Sequence, residues 1–193
     1  MTLLILGLAL FLGVHSVRIV AEGWRGRTLA RIGPGAWKGA YGVLALAGLA
    51  LIVWGWGAAR QQPVLLWAPP VWTRHLAGLL MLAAFVMLAA AYVPGNAIKA
   101  QLKHPMVLAV KTWALAHLLA NGSLAAVLLF GSFLLWAVLD FRAARQRDRG
   151  AVALAPAAGS ARATGLTLLV GVLAWAVFAF WVHGWLIGVR PFG

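Results

Sequence analysis

The sequence contains no cysteine and only three acidic residues, Glu22, Asp140 and Asp148, in 193 positions. Without cysteine there are no disulfides, no thiolate metal sites, no iron–sulfur clusters and no thiolate-ligated haem. With so few acids, paired-carboxylate catalysis and carboxylate-rich metal sites lack their residues. No glycine-rich loop of the P-loop or dinucleotide type occurs, and a Ser-His-Asp constellation would need scattered residues without a motif. Charge is also scarce, at 10% of residues against 64% hydrophobic. Soluble domains run nearer a quarter charged and half apolar, so the chain reads as an integral membrane protein. Its size suits one bundle, a single domain over residues 1–193. Sixteen Lys and Arg give a formal net charge of +13. They sit in short loops between apolar runs, where they serve as topology signals and contacts to anionic lipid, which argues against a nucleic-acid partner.

The fold class expected is all-α, a polytopic transmembrane bundle. A span needs roughly 20 residues, because the hydrocarbon core is about 30 Å thick and a helix rises 1.5 Å per residue. Six apolar stretches meet or approach this length: Thr2–Ala21, Ala36–Ala59, Val71–Tyr92, His104–Asn121, Ser123–Phe141 and Ala163–Ile187. Pro34-Gly35, Pro69-Pro70 and Pro94-Gly95 break the chain between them. Asn121-Gly122 has turn character, so stretches four and five read as a tight hairpin in preference to one kinked helix. Arg142–Arg162, which begins RAARQRDRG, reads as a mobile basic linker. The segments after spans one, three and five hold eleven Lys and Arg, against Arg60, Arg74 and Arg190 on the other side. That asymmetry places those segments in the cytoplasm and both termini outside.

Against this apolar background a few polar side chains stand out. An ionisable group at the centre of a span costs about 3 kcal/mol on insertion scales, so it usually faces a protein interior and reads as functional. His15 lies in the first stretch, as a hydrogen-bonded packing residue or as a haem or metal ligand. In the fourth, His117 and Asn121 share one helical face, and His104 and Lys111 share another. His104 sits at the water boundary, where a solvated cap is the plain reading. Lys111 reaches the interface, or pairs with Glu22 or with a bound carboxylate such as a haem propionate. Asn121 suits a turn cap. His75 and His183 read as interfacial, or as a second metal site with His117.

At LFLGVHSVRI, and again at HPMVLAVKTWALAHLLANG, the chain resembles the NnrU family of bacterial membrane proteins, whose plant relatives include the 15-cis-zeta-carotene isomerase. The likeness is strongest over residues 1–141. It implies membership of the membrane, an association with denitrification through nitrite and nitric oxide, or a haem-dependent isomerisation of a polyene. It also implies haem b held by histidines, with His15 and His117 matching the axial ligands and His104 the HP histidine; Lys111 and Asn121, on the same helix, are the other candidates beside such a cofactor. Lipids, haem, and a small gas or polyene are the partners this implies. The alternative is a haem-free accessory or solute-passing protein serving nitrogen-oxide reductases. Helical rise places His15 about 10 Å and His117 about 18 Å from the cytoplasmic boundary. Two axial nitrogens of one iron sit only about 4 Å apart. A shared iron therefore requires tilt or unwinding; a His15/His104 pair, or one ligand with an open position, are the other arrangements.

Overall fold

The computed structural model describes residues 1–150 and 159–192. Eight α-helices follow in order: α1 (Thr2–Val20), α2 (Glu22–Ala59), α3 (Trp72–Tyr92), α4 (Ala97–Leu102), α5 (Pro105–Ala120), α6 (Leu124–Gly150), α7 (Ala161–Val177) and α8 (His183–Ile187), with a π-turn, Phe178–Val182, joining the last two. Five helical segments are long and apolar enough to cross a membrane: α1, α2, α3, α6 and the continuous α7–π–α8 unit. The sixth expected span, α5, is apolar but has 16 residues. It starts with Pro105 in the first turn, where a missing N–H costs nothing, and ends at Asn121 in extended backbone. Leu124 N donates to Val64 O at 2.9 Å, and Leu66 N to Gly122 O at 2.8 Å. The loop before α3 thus clasps the α5–α6 turn, and the two helices form the expected hairpin.

Two boundaries differ from the expectation. Helical structure after α1 resumes at Glu22, well before Ala36, because the break is a single residue. Gly33 takes φ 81° and ψ 162°, a backbone region open essentially to glycine, and Pro34 starts the next helical turn. A short helical segment, residues 22–32, therefore precedes the apolar part of α2. The second difference is α6, which does not stop at Phe141 but continues to Gly150. Ala, Arg and Gln are good helix formers, and at a 1.5 Å rise the last nine residues carry the helix about 13 Å beyond the apolar stretch. The first part of the expected mobile linker is therefore helix. Residues 151–158 of that linker lie outside the described residues.

The core is a small-residue seam. Leu4 and Leu8 of α1, Ile52 and Ala59 of α2, Ala114 of α5, and Ala125, Ala126, Leu129 and Phe130 of α6 are buried together. Alanine and glycine let helix backbones approach closely, which is how helices associate where lipid removes the hydrophobic drive. Bulky side chains face outward instead, as on α7, where Leu169 and Leu173 are over half exposed. α6 is the common wall, packed on α1 and on α5; α2 packs on α1, and α3 on both α5 and α7.

One buried polar residue fixes the turn from α3 into α4. Asn96 is 2% exposed. Its Nδ2 donates to Ala90 O at 3.0 Å and to Val93 O at 2.5 Å, while its Oδ1 accepts from Lys99 N at 2.7 Å. The adjoining Ala97 N donates to Thr164 Oγ1 at 2.9 Å, tying this turn to α7. Asn96→Ala removes a helix cap and leaves buried carbonyls without a donor, so it should cost about 2–3 kcal/mol. Thermal unfolding in detergent checks this; a midpoint equal to the parent's would count against the assignment.

Candidate functional site

At one end of the bundle α1, the start of α2, the start of α5 and the end of α6 enclose a cleft of about 900 Å³. This lies within the roughly 300–1,000 Å³ usual for small-molecule sites. Its apolar wall includes Phe11, Val14, Trp37, Val107, Val110, Phe133 and Trp136. Arg18, Arg25, Lys38 and Arg147 line it together with Asp140 and Asp148, so cations outnumber anions around it.

His15 projects into this cleft from α1. Its Nδ1 lies 2.6 Å from Phe11 O. A carbonyl can only accept, so Nδ1 carries a proton, and Nε2 is the nitrogen that would offer a lone pair to a ligand-bound centre. Metal-ligating histidines are commonly oriented in this way by a backbone carbonyl. The ring is stacked on Phe11 at 4.1 Å and flanked by Tyr41 at 5.2 Å and Trp136 at 6.0 Å. This donor set suits a flat, largely apolar group with an electrophilic centre at Nε2 and carboxylates directed to the cations.

His104 also lines the cleft. It is the residue before α5, and its Nε2 lies 3.0 Å from Asp148 Oδ2 on the α6 extension. The cap reading therefore becomes a strap between two helices. That hydrogen bond, with smaller help from Lys103 and Arg145, holds the Asp148 carboxyl below its ordinary value of 3.8. A carboxyl lowered by a native contact stabilises the fold above 3.8, and the contribution is lost as pH falls through the lower folded value. A nitroxide on Gln146→Cys should therefore be restrained at mildly acidic pH and freed only as pH falls through the lowered Asp148 value. Asp148→Asn should free it throughout, and equal spectra for the two proteins would refute the strap.

His117 stands apart. Its Nδ1 is 2.9 Å from Trp113 O, and its ring stacks on Phe130 at 4.7 Å. It does not line the cleft. The ring contacts leading from His15 to His117 pass through Phe11, Phe133 and Trp113. α6 serves as a ruler: His117 meets Phe130, His15 meets Trp136, and His104 meets Phe141. Six and five residues of helix amount to axial offsets of about 9 and 7.5 Å. His15 and His117 thus meet α6 at levels about 9 Å apart, with Phe11, Phe133 and Trp113 in the chain of ring contacts between them.

The remaining expected residues fall elsewhere. Asn121 Nδ2 donates to His117 O at 2.8 Å, closing the end of α5 as a turn cap. Lys111 does not meet Glu22, whose carboxylate pairs with Arg25 at 3.1 Å and Arg18 at 3.8 Å. Short local pairs within one stretch of chain win over a reach across the bundle. His75 is exposed at the start of α3, and His183 Nδ1 bonds Val189 O at 2.6 Å. Among the described residues no three His, Asp or Glu side chains gather as a metal site, so His75, His117 and His183 do not form one.

Sequence reasoning missed Tyr41, Trp136, Asp140 and Arg147. The signal was present on α6, where Phe133, Trp136, Asp140, Ala144, Arg147 and Asp148 recur at three- and four-residue steps and so share one face. No curated protein and no solved structure matches the chain. The family model described as NnrU protein matches residues 3–191, nearly the whole length and all four walls of the cleft. The chain belongs to the NnrU family.

Proposed function

We propose that this NnrU protein is a multi-pass protein of the bacterial inner membrane that binds haem b in the cleft, with His15 as its protein ligand. The observation that carries the reading is the His15 ring itself, with Nδ1 tied to Phe11 O and Nε2 left free beside aromatic walls. His15 would hold the iron, and Arg18, Arg25, Lys38 and Arg147 would receive the propionates. Bound haem supplies one-electron redox chemistry and a coordination position for small gases. With His15 as the single protein ligand, a small gas would have access to the iron. This suits nitric oxide and a place in nitrogen-oxide metabolism better than a six-coordinate centre would. The topology that accompanies this reading has six spans, counting α5, with both termini on the outer side and the cleft opening toward the basic cytoplasmic face.

A haem-free accessory role is favoured by one observation, the aromatic packing between His15 and His117. The visible spectrum of detergent-purified protein, before and after addition of hemin, separates the two. A Soret band at one haem per chain is expected. A folded, colourless preparation that leaves added hemin unbound would reject the haem reading in favour of the accessory role.

A further inference from the structure

The cleft has three closed sides and one open one. α1 packs on both α2 and α6, and α5 packs on α6, but α2 and α5 do not form a packed pair. Trp37 and Tyr41 on α2, and Val107 and Val110 on α5, line the side of the cleft where these two helices leave a gap, which with membrane-spanning helices would face lipid. Val110 lies five residues past the start of α5, about 7.5 Å along the axis from Pro105. At the mouth the cations are poorly matched. Arg18 and Arg25 share Glu22. Arg147 reaches Asp140 only at 3.9 Å, and Lys38 has no carboxylate within ion-pair distance among the described residues. An apolar slot open to lipid, ending in surplus positive charge, is complementary to a molecule with a hydrocarbon chain and an anionic head.

We propose that the cleft admits one acyl chain of an acidic phospholipid from the leaflet on the basic side, with Lys38 and Arg147 holding its phosphate. The inference rests on the cleft being a ligand site but not on haem being the ligand. Entry is lateral, along the α2–α5 gap, so the occupant comes from the membrane and not from water. The second chain of the lipid stays in the bilayer.

The absence of cysteine makes the test direct. A bimane probe is placed on Val110→Cys, and a control probe on Leu173→Cys, which is 54% exposed on the outer face of α7. Each protein is reconstituted into vesicles containing phosphatidylglycerol or phosphatidylcholine with brominated chains, which quench only on contact. At Val110, quenching by the acidic lipid should need about thirtyfold less lipid than quenching by the zwitterionic one, as expected for two cations near an anionic head at about fivefold each. At Leu173 the two lipids should be equal. Arg147→Gln should lower the preference at Val110 to about fivefold, Lys38→Glu, which cancels the remaining positive charge, should erase it, and Lys38→Arg should keep it. An unquenched Val110 probe beside a normally quenched Leu173 probe would overturn the proposal. So would equal quenching by both lipids, or quenching by free brominated fatty acid alone. Haem and lipid would use the same cations, so the lipid arms are read on haem-free protein and the hemin spectrum on a separate portion of each preparation. Haem without lipid selectivity rejects only this inference, and lipid selectivity without haem rejects only the haem reading.

Discussion

Gly55→Ala is expected to destabilise the protein by about 3 kcal/mol or more, while Gly57→Ala, two residues along the same helix, should be neutral or slightly stabilising. A Cβ on Gly55 would collide with Leu4 N, lie 2.7 Å from Leu4 Cα and lie 2.8 Å from Leu3 C. All are backbone atoms, so no rotamer change relieves the clash, and α1 must move away from α2. Gly48 and Gly7 make the same approach from either side, with Cβ positions 2.8 Å from Phe11 N and 2.6 Å from Ile52 N. A Cβ on Gly57 meets nothing within 4 Å. The consequence reaches the cleft, because α1 delivers Leu4 and Leu8 to the core and Phe11 and His15 to the site. Thermal stability of the two variants in detergent decides the matter. Equal midpoints would show that the α1–α2 crossing is looser than drawn.

The same crossing shows what could be read from the sequence. Composition and run length were enough for the helices, since a 20-residue apolar stretch in lipid has few conformations other than a helix. Pro105 and Asn121-Gly122 were enough for the α5–α6 hairpin, because they act through local backbone geometry. The continuation of α6 past Phe141 was missed because hydropathy reports where lipid ends and not where a helix ends. Helix propensity in Arg142–Gly150 and the strap from Asp148 to His104 carry it on. The break expected at Pro34-Gly35 lies at Gly33, and what hydropathy does not show is the helical segment 22–32 that precedes it. The cleft was half legible. Its histidines were picked out by their cost in lipid, and the stripe on α6 obeys helical spacing, but spacing fixes only a face. Which faces meet depends on the small-residue crossings, and those place His15 opposite Trp136 and His117 opposite Phe130.

That difference in level makes the histidines separable by experiment. Removing His15 should abolish haem binding, with affinity for added hemin falling by more than about a hundredfold, past the 10–100-fold typical of changes in residues that only orient a ligand. His117→Ala should keep the Soret band and its position, because the ring serves as a packing element between Trp113 and Phe130. Its loss should instead appear as lower stability, by about 1–3 kcal/mol, from the emptied space and the stacking forgone. His104→Ala should retain the haem but loosen the α6 extension, as Asp148→Asn does, because its Nε2 is engaged with Asp148. Imidazole added to His15→Gly, where a cavity replaces the side chain, should restore the band; in His117→Gly it should change nothing. Equal losses of haem from the His15 and His117 variants, with both proteins folded, would mean that the helices shift on loading until both rings reach one iron. The aromatic packing of Phe133 and Trp113 would then be a feature of the unloaded protein alone, and the open position proposed for nitric oxide would be closed.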